Sequence, residues 1–252
     1  MINQELRLAV LLGWHDILRR YRRSTLGQFW ITLSLGIMIL CLGFVFGRLF
    51  KTPPREFLPF LSLGLISWNF ISTTLTEGCA AFMEAEGIIK QLKLSLRVHI
   101  LRILCRNIII LGHNLLIVPV IFFVLEVPLT FISTLSLLGV LIVSLNLIWG
   151  AIVLGIVCTR FRDIPQIIQS GLQVTFYLTP IIWHRDLLSG KAGLFLIEAN
   201  PFFHLVELIR APILGTYPSL VSWVTSIITA ILGSLFAAWV YRKYSHRVPY
   251  WL

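Results

Sequence analysis

Charge is scarce in this chain. Of its 252 residues, 13% are Asp, Glu, Lys or Arg, against roughly 25% in an ordinary soluble domain. Hydrophobic residues make up 57% and the mean hydropathy is +0.87, which excludes a soluble fold and points to an integral membrane protein. Acidic residues are the scarcer sign, 11 against 21 basic, for a net charge of +10. No DNA- or RNA-binding signature accompanies that excess, so nucleic acid is not an expected partner. The basic residues are expected in cytoplasmic loops instead. The four cysteines, Cys41, Cys79, Cys105 and Cys158, lie in or beside apolar runs without CxxC or metal spacing, and read as small apolar residues.

Catalytic patterns are missing too. Gly190-Lys191 is followed by Ala192 and has no glycine five positions ahead, so the chain holds no phosphate-cradling loop. There is no HExxH, no GxSxG and no paired-carboxylate constellation. Asp186, Glu198, His184 and His204 gather in one region, but at unspecific spacing. No catalytic residue and no metal ligand is assigned. The apolar runs also lack the several acids or histidines of a proton-coupled carrier. Energy for uphill transport must come from a partner or an ion gradient.

What is present is a series of apolar runs. Residues 3–23 read as a helix on the membrane surface, with Leu6, Val10, Trp14, Ile17 and Tyr21 as its apolar stripe. Arg19, Arg20, Arg22 and Arg23 then sit among headgroups, either fixing topology or serving a gate. Residues 1–27 lack the order of a signal peptide, because the basic cluster follows the apolar run. Spans are expected over 29–50, 57–83, 103–125, 131–158, 160–183 and 219–241. Gly43 and Gly47 form a GxxxG pair in the first. Glu77, at the inner end of the second, reads as a solvated or paired acid. His113 in the third reads as hydrogen-bonded packing, and Asn146 in the fourth as an interhelical hydrogen bond. In the sixth, Ser222, Ser226, Ala230 and Ser234 step by four as a packing ridge. The 84–107 stretch carries Lys90, Lys93, Arg97, Arg102 and Arg106, with Ile88, Leu92 and Leu96 at four-residue spacing. Part of it is expected as a short amphipathic helix that needs a docking partner. Residues 184–217 hold two apolar segments too short to cross, broken at Asn200-Pro201 and Pro212, which suits re-entrant half-helices. Glu207 and Arg210, three apart, can pair.

The chain is organised around residues 160–183. Gln166, Ser170, Gln173 and Tyr177 recur at spacings of four, three and four, so they share one helix face. Lipid offers an amide no partner, so this face must meet protein or water. It either glues helices together or walls a polar passage. Fifteen Lys and Arg fall in the segments placed inside and six in those placed outside, a bias that supports six spans with both termini cytoplasmic.

Several motifs carry a resemblance. RYRRSTLGQFW (20–30), GLISWNF (64–70), RNIIILGHN (106–114), RFRDIPQII (160–168), LTPIIW (178–183) and NPFFHLVELIR (200–210) occur in order, with YWL at 250–252. Together they resemble the permease subunit of polysaccharide-exporting ABC transporters, the type-2 exporters of O-antigen, capsule or teichoic acid. One departure is the missing proline near Leu94-Ser95-Leu96.

The resemblance implies an all-α membrane protein: one permease domain over 1–252 with six transmembrane helices. It has an interfacial amphipathic helix (1–27), a cytoplasmic coupling loop (84–102) and an outer re-entrant region (184–217). It implies a homodimer with two ATP-binding subunits, which bind the ATP and Mg; this chain binds no cofactor. Membrane lipid and a lipid-linked polysaccharide complete its partners. The first and fifth spans would line a channel, so Phe29, Trp30, Gln166, Ser170, Gln173 and Tyr177 are expected along it. Ile88, Lys90, Leu92 and Lys93 would seat on the ATPase. Trp14, Arg19, Arg20, Arg22 and Arg23 would be interfacial or gating residues. The chain is thus expected to be the channel-forming part of an inner-membrane exporter, with O-antigen as the expected cargo. A type-2 exporter of a small drug or lipid is the alternative; a membrane glycosyl- or acyltransferase and a passive channel are more distant ones.

Overall fold

A computed structural model describes residues 2–21, 29–92, 94–187 and 190–252, without the side chains at 2, 3, 20, 21, 191, 192 and 194. Helix α1 is Ile2–Tyr21 and α2 is Phe29–Leu49. Helix α3, Pro54–Ala80, begins with a proline at its first position, where the missing N–H has no partner to lose. A short α4 (Glu86–Gln91) precedes α5 (Leu96–Leu115) and α6 (Ile117–Val124). The break between them falls at Leu116, because Pro119 cannot donate to the carbonyl of Leu115 and crowds it. Helix α7 is Leu135–Arg160 and α8 is Ile164–Leu178. Two short helices follow, α9 (Lys191–Glu198) and α10 (Pro201–Ile213). Asn200 caps α10 by accepting from the Phe202 N–H at 3.0 Å. Helix α11, Leu220–Tyr244, is capped by Ser219 and leads to α12, Val248–Trp251.

The chain is an all-α membrane protein. Among the described residues, five helical segments are long and apolar enough to cross a bilayer: Phe29–Leu49, Pro54–Ala80, Leu96–Val124, Phe131–Arg160 and Leu220–Trp251. They fall on the expected first, second, third, fourth and sixth spans. The expected fifth is α8, whose 15 helical residues reach about 22 Å, short of a ~30 Å hydrocarbon layer. Thr179-Pro180 ends it.

The core is built around α3, which packs on α2, α5, α7, α8 and α10. Small residues let these helices close. A Cβ on Gly78 would meet that of Ala151 on α7 at 2.8 Å. A Cβ on Gly43 would strike Leu58, so the GxxxG pair does bring α2 onto α3. Helix α10 lies between the spans: the Leu208 carbonyl sits over Gly139 near one end of α7, while Phe202 and Leu205 reach the level of Leu147 and Gly150 further along it. The 184–217 region is thus a pair of short helices of which the second is buried against α3, α7 and α11.

Three expectations are corrected by packing. Helix α5 starts at Leu96, not near 103, so the second half of the expected 84–102 loop is helical. The apolar face Leu96, Ile100, Ile103 and Leu104 continues unbroken through it, and partners elsewhere absorb its arginines. The stripe on α1 divides: Ile17 is buried with Ala9 and Gly13 against α5, while Leu6, Val10 and Trp14 are exposed. In α11 the ridge runs Ser222, Ser226, Ala230, Gly233, Ala237 and Val240, leaving Ser234 outside. Strict four-residue steps drift off a 3.6-residue helix, and the real face corrects with a step of three. Gly233 is where the indole of Trp149 lies.

Candidate functional site: a polar arc on α8 and the groove at its end

Helix α8 is held along one line only. Leu172 is buried, and Ile164, Ile168, Thr175 and Phe176 are half-buried on the same side, facing α3 and α7. Phe176 meets Trp68 of α3 with ring centroids 5.8 Å apart. The rest of the helix is exposed, and it divides in two. Gln166, Gln169, Ser170, Gln173 and Tyr177 form a polar arc. Ile167, Gly171, Val174 and Leu178 form an apolar arc on the other side of the exposed half. The expected face Gln166–Ser170–Gln173–Tyr177 is therefore open and turned away from the chain's own core. The reading of these glutamines as glue between helices of a single chain loses its basis.

The C-terminal end of α8 is locked. Arg210, only 4% exposed, donates to the Pro180 carbonyl at 2.7 Å and pairs with Glu207 at 2.8 Å, as the sequence spacing indicated. Its guanidinium lies 4.1 Å from the Phe60 ring centroid. His184 stacks on the same ring at 3.9 Å. Burial holds the His184 imidazole below its ordinary pKa, and the Arg210 charge pushes the same way.

Beside this lock lies a groove of about 390 Å³ whose walls include Thr175, Tyr177, Trp183, Leu196, Asn200 and Phe202. The Trp183 indole N–H donates to the Tyr177 carbonyl at 3.1 Å, which fixes the ring against the helix end. Asn200 donates to the Thr179 hydroxyl at 2.8 Å. Aromatic faces, a hydroxyl and an amide converge here. Such a surface suits hydroxylated rings, whose C–H faces are apolar and whose edges hydrogen-bond.

The other expected residues lie elsewhere. Phe29 and Trp30 are exposed at the start of α2, with Phe29 edge-on to His113 at 6.5 Å. Helix α2 packs on α3 and α5, whereas α8 packs on α3 and α7. Ile88 and Lys90 are exposed on α4 and Leu92 is exposed just after it. Lys90 pairs with Glu86 at 2.6 Å, and that hydrogen bond and charge hold the Glu86 carboxyl below its ordinary pKa. Trp14 and Arg19 are exposed on α1, and Arg20 lies on the same helix. Lys93, Arg22 and Arg23 lie outside the described residues.

One constellation escaped the sequence. Asp16 of α1 accepts from Arg102 Nε at 2.6 Å and from Arg106 at 3.2 Å. Arg106 also pairs with Glu77 of α3 at 2.7 Å, and Asn107 donates to Glu77 at 2.8 Å. Three helices are tied by this ladder. Glu77 is the paired acid its position indicated. The one signal for Asp16 in the sequence is its place just ahead of a basic cluster.

A family model for ABC-2 type transporters matches residues 7–214, which takes in α1, the ladder, α8 and the groove. The chain belongs to the ABC-2 type transporter family. Among relatives of this ABC-2 chain are two proteins of Klebsiella pneumoniae, each named O-antigen export system permease protein RfbA. Each is 24% identical over 245 residues, 93% of both chains. A protein of the same name from Myxococcus xanthus is 22% identical over 221 residues, covering 81% of this chain and 79% of the relative. The family match and the apolar helices make this ABC-2 protein a multi-pass membrane protein.

Proposed function

We propose that this chain is the channel-forming membrane subunit of an ATP-driven exporter that moves a lipid-linked polysaccharide, O-antigen, across the bacterial inner membrane. The observation that carries the reading is the open polar arc of α8, Gln166, Ser170, Gln173 and Tyr177, in an ABC-2 chain whose relatives are named for O-antigen export. A polar face on a membrane helix needs a partner that is not lipid. Two copies facing one another across this arc enclose a passage lined with amides and hydroxyls. A long sugar polymer slides through such a passage on many weak contacts, since tight binding at each sugar would stall it. The apolar arc, Ile167, Gly171, Val174 and Leu178, offers the partner copy or lipid a surface of its own.

Work enters from outside the chain. Two ATP-binding subunits, carrying the ATP and Mg, seat on α4 and the segment that follows it, through Ile88, Lys90, Leu92 and Lys93. They press the spans into motion, and no covalent chemistry falls to this protein. With residues 160–183, α8 and its flanks, completing a sixth crossing, both termini are cytoplasmic, and Arg19, Arg20, Arg22, Arg23 and Trp14 lie at the inner interface. Phe29 and Trp30 line the passage from the first span.

The test is a strain in which this gene is deleted and restored. Wild-type protein should return polymer to the cell surface, while Gln173→Arg should leave it inside the cell with normal protein levels and normal assembly with the ATPase. Normal surface polymer with Gln173→Arg removes α8 from the passage. Export of a small amphiphile by a chain that leaves polymer export unaffected would favour the drug or lipid exporter instead.

A further inference from the structure

A second groove, of about 350 Å³, lies between α3, α7, α10 and α11. Its walls include Leu75, Leu147, Gly150, Val153 and Leu205. Two features set its character. First, its α7 wall falls in the middle of Leu135–Arg160, and Thr229 on its far side falls in the middle of Leu220–Tyr244. Both helices belong to candidate spans, so the groove lies at hydrocarbon depth. No water competes for it, and its lining asks for hydrocarbon. Second, it adjoins the aromatic groove at the end of α8: Pro201 and Phe202 line both.

That shared wall is fixed. Asn200 caps α10 immediately before it, and the Phe202 ring meets Trp68 edge-on at 5.8 Å. One side of Phe202 carries rings, a hydroxyl and an amide; the other carries only aliphatic side chains and glycine, apart from the edge made by Asn146, Trp149 and Thr229. A ligand that satisfies both halves is a sugar joined to a long hydrocarbon chain. A free sugar leaves the apolar half empty, and a plain lipid leaves the aromatic half unused.

We infer that the two grooves form one amphipathic site for the glycolipid end of the cargo, with the sugar against Tyr177 and Trp183 and the chain laid along α7 beside Val153. The inference rests on the exporter reading above and adds to it a place where the lipid-linked terminus is held, at the Tyr177 end of the α8 arc that meets the polymer. Both grooves are preformed.

The experiment uses the full chain in phosphatidylcholine nanodiscs. The probes are a long-chain alkyl glucoside with a photoactivatable diazirine in its chain and the matching alkyl phosphocholine. The glucoside should label peptides spanning 147–154 and 202–205 about fivefold more than the phosphocholine, the factor one net hydrogen bond supplies. Tyr177→Ala with Trp183→Ala should erase the preference while leaving the chain labelling, and Val153→Trp should block both probes by filling the apolar half. Equal labelling of wild type by the two probes makes this a groove for any lipid tail and overturns the inference. So does labelling that avoids these peptides. The wild-type comparison stands even where a variant fails to fold. Equal labelling of the wild-type chain with polymer export intact sinks only this site; selective labelling of a wild-type chain that exports no polymer sinks the exporter reading instead.

Discussion

Replacing Asp16 with alanine should release α1 from α5. The Asp16 and Arg106 side chains are 12% and 11% exposed and that of Arg102 is 24% exposed. Removing one partner of a buried ion pair costs about 3–5 kcal/mol, because the remaining charge is left unpaired in a poor solvent. Arg106 keeps Glu77 and Arg102 is nearest to water, so the low end, ~3 kcal/mol, applies. At about 1.4 kcal/mol per decade, the undocked fraction of α1 rises roughly a hundredfold. Cys105 reports it directly. It lies under α1, its Cβ 3.5 Å from where a Cβ on Gly13 would stand. In a background lacking Cys41, Cys79 and Cys158, the maleimide-labelling rate of the half-buried Cys105 should rise with the undocked fraction, by up to that factor. Gly13→Val should raise it by a different route, since the new Cβ would lie 2.9 Å from the Arg102 carbonyl oxygen. If Asp16→Ala labels at the wild-type rate while Gly13→Val labels faster, the helix is seated by shape alone and the electrostatic argument is wrong.

Four other outcomes follow from the structure. The His184 imidazole is held below its ordinary pKa, so the unfolded chain takes up a proton first as pH falls. The turn over 179–187 should be firm above about pH 6.5 and loosen below it. Hydrogen exchange of that turn reads the change, and His184→Phe, which keeps the stack on Phe60, should flatten the profile. Gly233→Ala drives a methyl into the Trp149 indole and should cost about 1–3 kcal/mol, seen as a lower melting temperature in detergent. Charge reversal at Lys90 and Lys93 should reduce co-purification with the ATP-binding subunits, and full recovery would move the docking surface away from α4. The Glu86 carboxyl is held below its ordinary pKa, chiefly by Lys90. Its contribution to α4 should therefore hold above about pH 4.3 and vanish as pH falls through the lower folded value; exchange of the α4 amides down to acid pH checks the sign.

Composition alone made this a helical membrane protein, because a bilayer admits few ways of pairing backbone groups and the apolar runs have spanning length. Local spacing was enough for the Gln166–Ser170–Gln173–Tyr177 face, the Glu207–Arg210 pair and the packing of Gly43. Each rests on helical periodicity, which neighbours in sequence carry. Tertiary structure decided the rest. It chose Ala9, Gly13 and Ile17 over Leu6, Val10 and Trp14 as the buried face of α1, because Asp16 had to reach two arginines some ninety positions away. It moved the start of α5 to Leu96 by supplying partners for charges that looked like loop. It set both grooves against Phe202, a residue whose neighbours come from α3, α7, α8 and α10. Periodicity tells which residues share a face; only the packed chain tells what that face meets.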